Sequence, residues 1–151
     1  MMIEFKNPER EYQTSETCVY SCQYHILFTT KYRRKYLVDG IDERLKELIL
    51  QQQEEYGYTV IEQEVMPDHV HLLLSIPPDT TPNGIIRRIK GYTSTTLRRE
   101  YPTLATKTPS LWTRSKFIST CGSVSLNVVQ NYIENQKKAT NNYQKKTRNQ
   151  E

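Results

Sequence analysis

A chain of 151 residues is long enough to bury its own core without disulfide or metal staples, and it is read as one domain. Its 36% hydrophobic content and negative mean hydropathy are those of a soluble protein, and no apolar run approaches the roughly 18 residues of a membrane helix. The formal net charge of +4 is modest, but the cations cluster as "KYRRKY", "RRIK", "RR" and "KK", a pattern that points to a polyanionic partner better than the total does.

The opening "MMIEFKNPERE" has no apolar signal core, so an intracellular protein is expected. The three cysteines, Cys18, Cys22 and Cys121, show neither zinc-knuckle spacing nor a CxxC pair, and reduced, half-buried thiols are expected. From Cys18 to Thr30, "CVYSCQYHILFTT" is rich in β-branched and aromatic residues and is predicted to be a strand. Tyr20, Tyr24 and Phe28 would share one face of it, where bases could stack, although a sheet covered by two helices must bury one face and core packing competes for them.

The segment "GIDERLKELILQQQEEYG" follows, with Ile41, Leu45, Leu48 and Ile49 at helical spacing and Gly57 placed to stop the helix. "YTVIEQEVM" and "HVHLLLSI" read as two strands joined through the turn-prone Pro67 and Asp68. Thr81 as cap and Pro82 at the first helical position begin a helix through "NGIIRRIKGYTSTTLRRE" that Pro102 closes. Gly91 inside it costs about 1 kcal/mol relative to Ala, which suggests a close approach to its backbone. "KFIST" is a fourth strand, Ser123 or Ser125 caps a last helix to about Ala139, and residues 141–151 form a polar, basic tail. The fold class is therefore α+β: a ferredoxin-like (RRM-like) βαββαβ sandwich with an added C-terminal helix, its compact core at about 16–140. That fold serves RNA-binding sheets, metallochaperone-like domains and nucleases alike, so function has to come from the residues.

Two of the chain's three histidines, His69 and His71, fall on one strand, one residue apart. Alternation turns both to one side and Val70 to the other, about 6.6 Å apart along the strand, within reach of one metal ion. Hydrogen-bonded structural histidines are the competing explanation. Glu64 and Asp68 are near, but strand parity places neither to complete a site, so a third ligand must come from elsewhere. In "SLNVVQNYIENQKKA", Leu126, Val129 and Ile133 form an apolar stripe, and Tyr132 and Gln136 stand together beside it. They are either a boundary contact or a nucleophile with an oxygen ligand for the ion. A phenol with its pKa near 10 needs help to attack a phosphodiester, and a metal ion on a non-bridging oxygen would supply it.

Taken together, "YHILFTTKYRRKYL", "MPDHVHLLL", "IKGYTSTTLRREYP", "LWTRSKFIST" and "YIENQ" resemble the single-tyrosine HuH transposases, the TnpA-type enzymes of the smallest bacterial and archaeal insertion sequences. The resemblance runs from about Tyr20 to Lys138, and Lys116 departs from it where an aromatic is usual. It implies that His69 and His71 are the HuH histidines, that Tyr132 is the nucleophile, and that Gln136 completes a divalent-metal site. It further implies cleavage and rejoining of single-stranded DNA at hairpin-marked element ends through a 5′-phosphotyrosine. The enzyme would be a cytoplasmic, nucleoid-associated homodimer whose active sites are shared between subunits. Two imidazoles favour zinc or another later transition ion, whereas the resemblance implies magnesium or manganese. Lys31, Arg33, Arg34, Arg87, Arg88, Lys90, Arg98 and Arg99 are the candidate phosphate contacts. The rival functions are a domesticated repeat-associated nuclease or nickase with the same chemistry, and a non-catalytic module that binds single-stranded nucleic acid on its sheet.

Overall fold

A computed structural model describes residues 13–14 and 17–121. The last helix and tail expected from the sequence, with Tyr132 and Gln136, lie outside the described residues.

The predicted first strand is divided. Two short strands, β1 (Gln13–Thr14) and β2 (Val19–Tyr20), pair with each other, and the long strand β3 begins only at Gln23 and runs to Thr29. The break comes at Ser21 and Cys22, where the Cys22 carbonyl accepts a bond from Ile76 N–H. Tyr20 therefore leaves the face it was expected to share with Tyr24 and Phe28. Phe28 is buried, and Tyr24 packs half-buried against the core.

The next helix, α1 (Ile41–Gln51), buries Ile41, Leu45, Leu48 and Ile49 as their spacing requires. It breaks at Gln52, and a single turn, α2 (Gln53–Tyr56), continues to Gly57, whose φ of +76° ends the helix in the left-handed conformation glycine takes without strain. Strands β4 (Thr59–Met66) and β5 (His69–Ser75) form the expected hairpin over Pro67 and Asp68, with one bulge at Ile61. Helix α3 (Pro82–Glu100) starts as expected: the Thr81 hydroxyl oxygen accepts from Gly84 N–H at 3.2 Å, and Pro82 occupies the first turn. Pro102 does more than close this helix, because it opens a further short one, α4 (Pro102–Lys107). Gly91 was expected to meet a close neighbour, but a Cβ built there would touch none of the described residues within 4 Å. Strand β6 (Phe117–Thr120) completes the order.

The sheet is antiparallel throughout, in the order β4-β5-β3-β6, which is the split βαβ arrangement the element order implies. Ile26, Phe28, Val70, Leu72 and Leu74 point from one face into the core shared with α1, α3, Leu111 and Trp112. Phe28 meets Trp112 edge-on, with centroids 4.7 Å apart, and Trp112 Nε1–H donates to the buried Thr93 hydroxyl oxygen at 3.1 Å. That hydroxyl donates in turn to the Ile89 carbonyl at 2.7 Å, so the tryptophan is tied to the α3 backbone. Arg44 and Glu100 clamp α1 to α3 by two bonds of 2.8 and 2.9 Å, which hold the Glu100 carboxyl below its ordinary range. The three cysteines are half-buried, and burial pushes the Cys121 thiol upward.

Candidate active site

Because the described helices cover one face of the sheet, the alternate residues of every strand stand on the other. Register places His69 and His71 of β5 there with Glu62, Glu64 and Met66 of β4, His25, Leu27 and Thr29 of β3, and Phe117 and Ser119 of β6. Val70 faces the core and is fully buried, as alternation demands.

The two-residue turn fixes one histidine directly. Asp68 Oδ1 lies 2.7 Å from His69 Nδ1, and an ionised carboxylate only accepts, so Nδ1 carries the proton. In the neutral ring this leaves the lone pair on Nε2. The His69 bond is the main reason the Asp68 carboxyl sits below its ordinary range, aided by Arg33, whose Nη2 approaches Asp68 Oδ2 at 3.3 Å. Arg33, Asp68 and His69 thus form a chain of cation, carboxylate and imidazole. Asp68 orients the His69 ring.

His71 is held differently, and by a residue that strand periodicity did not single out. His25 Nδ1 lies 3.1 Å from His71 Nε2, with the rings nearly parallel at 19°. Within a strand His25 is one polar residue among several; only the register between β3 and β5 brings it beside His71. Glu64 also needs correction. Parity along the chain kept it out of the site, but the hairpin sets it directly opposite His71, where Glu62, Gln63, Glu64, His71 and Leu73 line an open depression of about 570 Å³. Even so, no three of His, Cys, Asp and Glu among the described residues gather into a metal-binding group. Among the described residues, His69 and His71 are therefore a pair of imidazoles with no third such side chain gathered around them.

The candidate DNA contacts divide by position. Lys31, Arg33 and Arg34 occupy a turn beside the hairpin, pinned by Thr30, whose N–H donates to the Asp68 carbonyl at 3.0 Å and whose hydroxyl donates to the Arg34 carbonyl at 2.6 Å. Tyr32 and Arg33 in this turn have φ of +59° and +52°, a conformation that costs an L-residue about 1–2 kcal/mol. Arg87, Arg88, Lys90, Arg98 and Arg99 belong to α3, on the helix layer away from the histidines. Two of these are engaged within the fold. Lys90 Nζ donates to the Thr113 carbonyl at 2.6 Å, and burial, with Lys116 nearby, lowers its pKa. Arg98 donates to the carbonyls of Pro109 and Thr108 at 2.9 and 3.1 Å. Arg88 lies over the Tyr56 ring, 5.7 Å from its centroid, whereas Arg87 and Arg99 are exposed.

The described chain is thus an α+β sheet with paired imidazoles on the face opposite the described helices, one of them oriented by a carboxylate. Residues 18–136 match the family described as "Transposase IS200 like". Over 120 residues the chain is 36% identical to the ISDra2 transposase TnpA of Deinococcus radiodurans, covering 78% of this chain and 86% of the relative. It is 29% identical over 119 residues to the transposase for insertion sequence element IS200 of Salmonella typhimurium, covering 78% of each. Among solved structures, a putative transposase from Deinococcus radiodurans aligns with a TM-score of 0.67 at 32% identity over 82% of this chain and 97% of that one. A REP-associated tyrosine transposase bound to a REP hairpin shares the fold, with a TM-score of 0.52 at 16% identity over 81% of this chain and 68% of that one. The chain belongs to the IS200-like transposases, and its function is DNA transposition.

Proposed function

We propose that this transposase cuts and rejoins single-stranded DNA at the ends of its element, with Tyr132 as nucleophile and His69, His71 and Gln136 as ligands of a magnesium or manganese ion. The observation that carries this reading is the common orientation of His69 and His71 on the sheet face opposite the core, with Asp68 fixing the His69 tautomer so that Nε2 is its free donor. The two imidazoles alone favour a later transition ion, and an amide oxygen of Gln136 with a substrate phosphate oxygen would add the hard donors that magnesium or manganese prefers. A divalent ion there supplies charge withdrawal from a phosphate oxygen and alignment of the scissile bond.

The remaining chemistry falls to the protein. The Tyr132 phenol gives its proton to solvent water, which also protonates the leaving group, and its oxygen attacks phosphorus in line with the departing 3′ oxygen. The phosphorus to 3′-oxygen bond breaks, the 3′ oxygen takes a proton, and the 5′-phosphate stays on Tyr132 as an ester whose energy is kept for rejoining. The substrate is a hairpin-marked single strand, in keeping with the hairpin bound by the REP-associated relative. A two-ended element needs two attachments, and a homodimer with sites shared between subunits supplies two copies of Tyr132.

Incubating the protein with hairpin-ended oligonucleotides and manganese, then resolving the products on a denaturing gel, tests the assignment. The parent is expected to yield a covalent protein–DNA adduct. Tyr132→Phe is expected to bind the same DNA and form none, and an undiminished adduct in that variant would reject Tyr132 as nucleophile.

A further inference from the structure

Tyr32 is the most exposed large hydrophobic residue described, at 70% relative exposure, and it sits in the left-handed backbone region that an L-residue enters only at a cost. Glycine or asparagine would fit that conformation with less strain, and the ring belongs to no core cluster, so folding does not account for a tyrosine here. Its described ring neighbours are cations: Lys31 Nζ lies 5.3 Å and Arg34 Cζ 6.0 Å from the centroid. The next residue, Arg33, is ion-paired to Asp68, the carboxylate that orients His69. An aromatic face is thus displayed among positive charges, on a turn tied to the site by one ion pair.

We propose that Tyr32 is a stacking platform for a nucleobase of the single-stranded substrate, near the reacting phosphate, and helps determine which nucleotide is presented there. The chemistry of the occupant follows from its neighbours. A planar base covers the ring, while the phosphates flanking that base meet Lys31 and Arg34, which a neutral aromatic ligand would leave uncompensated. Arg33 is held by Asp68 and serves mainly to anchor the turn. The strained backbone aims the ring outward, and Thr30 holds the turn closed from behind through its bonds to Asp68 and Arg34.

This inference rests on the single-stranded DNA reading above, and its test keeps the two apart. Oligonucleotides carrying 2-aminopurine at successive positions around the cleavage site report stacking by fluorescence quenching, with or without metal. With the parent, strong quenching is expected at one or two adjacent positions. Tyr32→Phe retains it. Tyr32→Ala and Tyr32→Asn, the latter suited to left-handed backbone, lose it and bind about fivefold or more weakly. An abasic nucleotide at the quenched position should bring parent and Tyr32→Ala to equal affinity. If the parent binds single strands and the two small variants bind and quench like it, the platform is overturned while the substrate reading stands. A parent that binds no single-stranded DNA at all overturns both.

Discussion

His25 Nδ1 lies 3.1 Å from His71 Nε2 across the β3–β5 pair, so one of the two nitrogens His71 could offer to an ion is already engaged by a second imidazole. A neutral imidazole carries one N–H, so one ring donates and the other accepts, and the two tautomers are coupled. Loading His71 through Nε2 must exchange the bond for a metal ligand, and a neutral hydrogen bond contributes about 0.5–1.5 kcal/mol net. Removing His25 should therefore tighten manganese binding by about two- to tenfold, a factor that follows from the same net energy. Calorimetric titration of His25→Ala against the parent measures this. Weaker binding in the variant would make His25 a support for the ion and not its competitor.

Asp68 offers a prediction in pH. Its carboxyl lies below the ordinary value of 3.8, chiefly through the His69 bond and then through Arg33. A depressed folded-state pKa means that the interaction stabilises the fold fully above the unfolded value and is lost as pH falls below it through the folded value. The difference in Tm between the parent and Asp68→Asn is thus expected to be constant near neutrality and to shrink below about pH 4. At neutral pH the variant should also bind metal more weakly, since an amide no longer dictates which His69 nitrogen is protonated. A Tm difference that persists unchanged at about pH 2 to 3 would contradict the assignment.

The contrast between Asp68 and His25 shows how far the sequence reaches. Alternation in "HVHLLL" was enough to place His69 and His71 together and Val70 in the core, because a period of two is a property of one strand. Thr81 with Pro82, Gly57 and the Pro67–Asp68 turn were equally local and readable. Neighbours across strands were not. His25 is the diagonal neighbour of His71, and Glu64 its direct partner, only because β3 and β5 pair as they do and the hairpin turn has two residues. Charge counts misled in another way: Lys90 and Arg98 are as cationic as Arg87 in sequence, but their partners are main-chain carbonyls that no local pattern announces. Chemical roles for Tyr132 and Gln136 came from resemblance, since their helical spacing alone also fits a boundary contact.

That division of the cations predicts two kinds of mutant. Arg34→Gln or Arg87→Gln should leave Tm nearly unchanged, weaken single-strand binding, and reduce the slope of log affinity against log salt by about 0.7 for each phosphate no longer neutralised. Arg98→Ala should instead lower Tm, because the carbonyls of Thr108 and Pro109 lose their donor. Salt-dependent anisotropy with thermal melts separates the outcomes. A full drop in salt slope with unchanged Tm in Arg98→Ala would return that residue to the DNA surface.

The core offers a stability test away from the chemistry. Thr93→Val keeps the shape of the side chain but removes the hydroxyl that accepts from Trp112 Nε1. A buried indole N–H left unpaired costs about 1–3 kcal/mol. Urea unfolding, followed by fluorescence of the chain's sole tryptophan, should show a lower midpoint with little change in slope. DNA cleavage under folding conditions should persist, because the pair lies on the helix side of the sheet.

Sharing of sites between subunits has a signature that single mutants cannot give. On the proposed chemistry His69→Ala would lack a metal ligand and Tyr132→Phe the nucleophile, so each homodimer should be inactive. In a mixed dimer with shared sites, one site combines the intact histidines of one chain with the intact tyrosine of the other, while its counterpart combines both defects. Equal mixing with free exchange makes half the dimers mixed, so about one quarter of the parental sites should return. If each chain instead used its own tyrosine, every site would keep one defect and no mixture would cut. Adduct formation against mixing ratio, measured after subunit exchange, distinguishes the two, and a flat zero would require a self-contained active site.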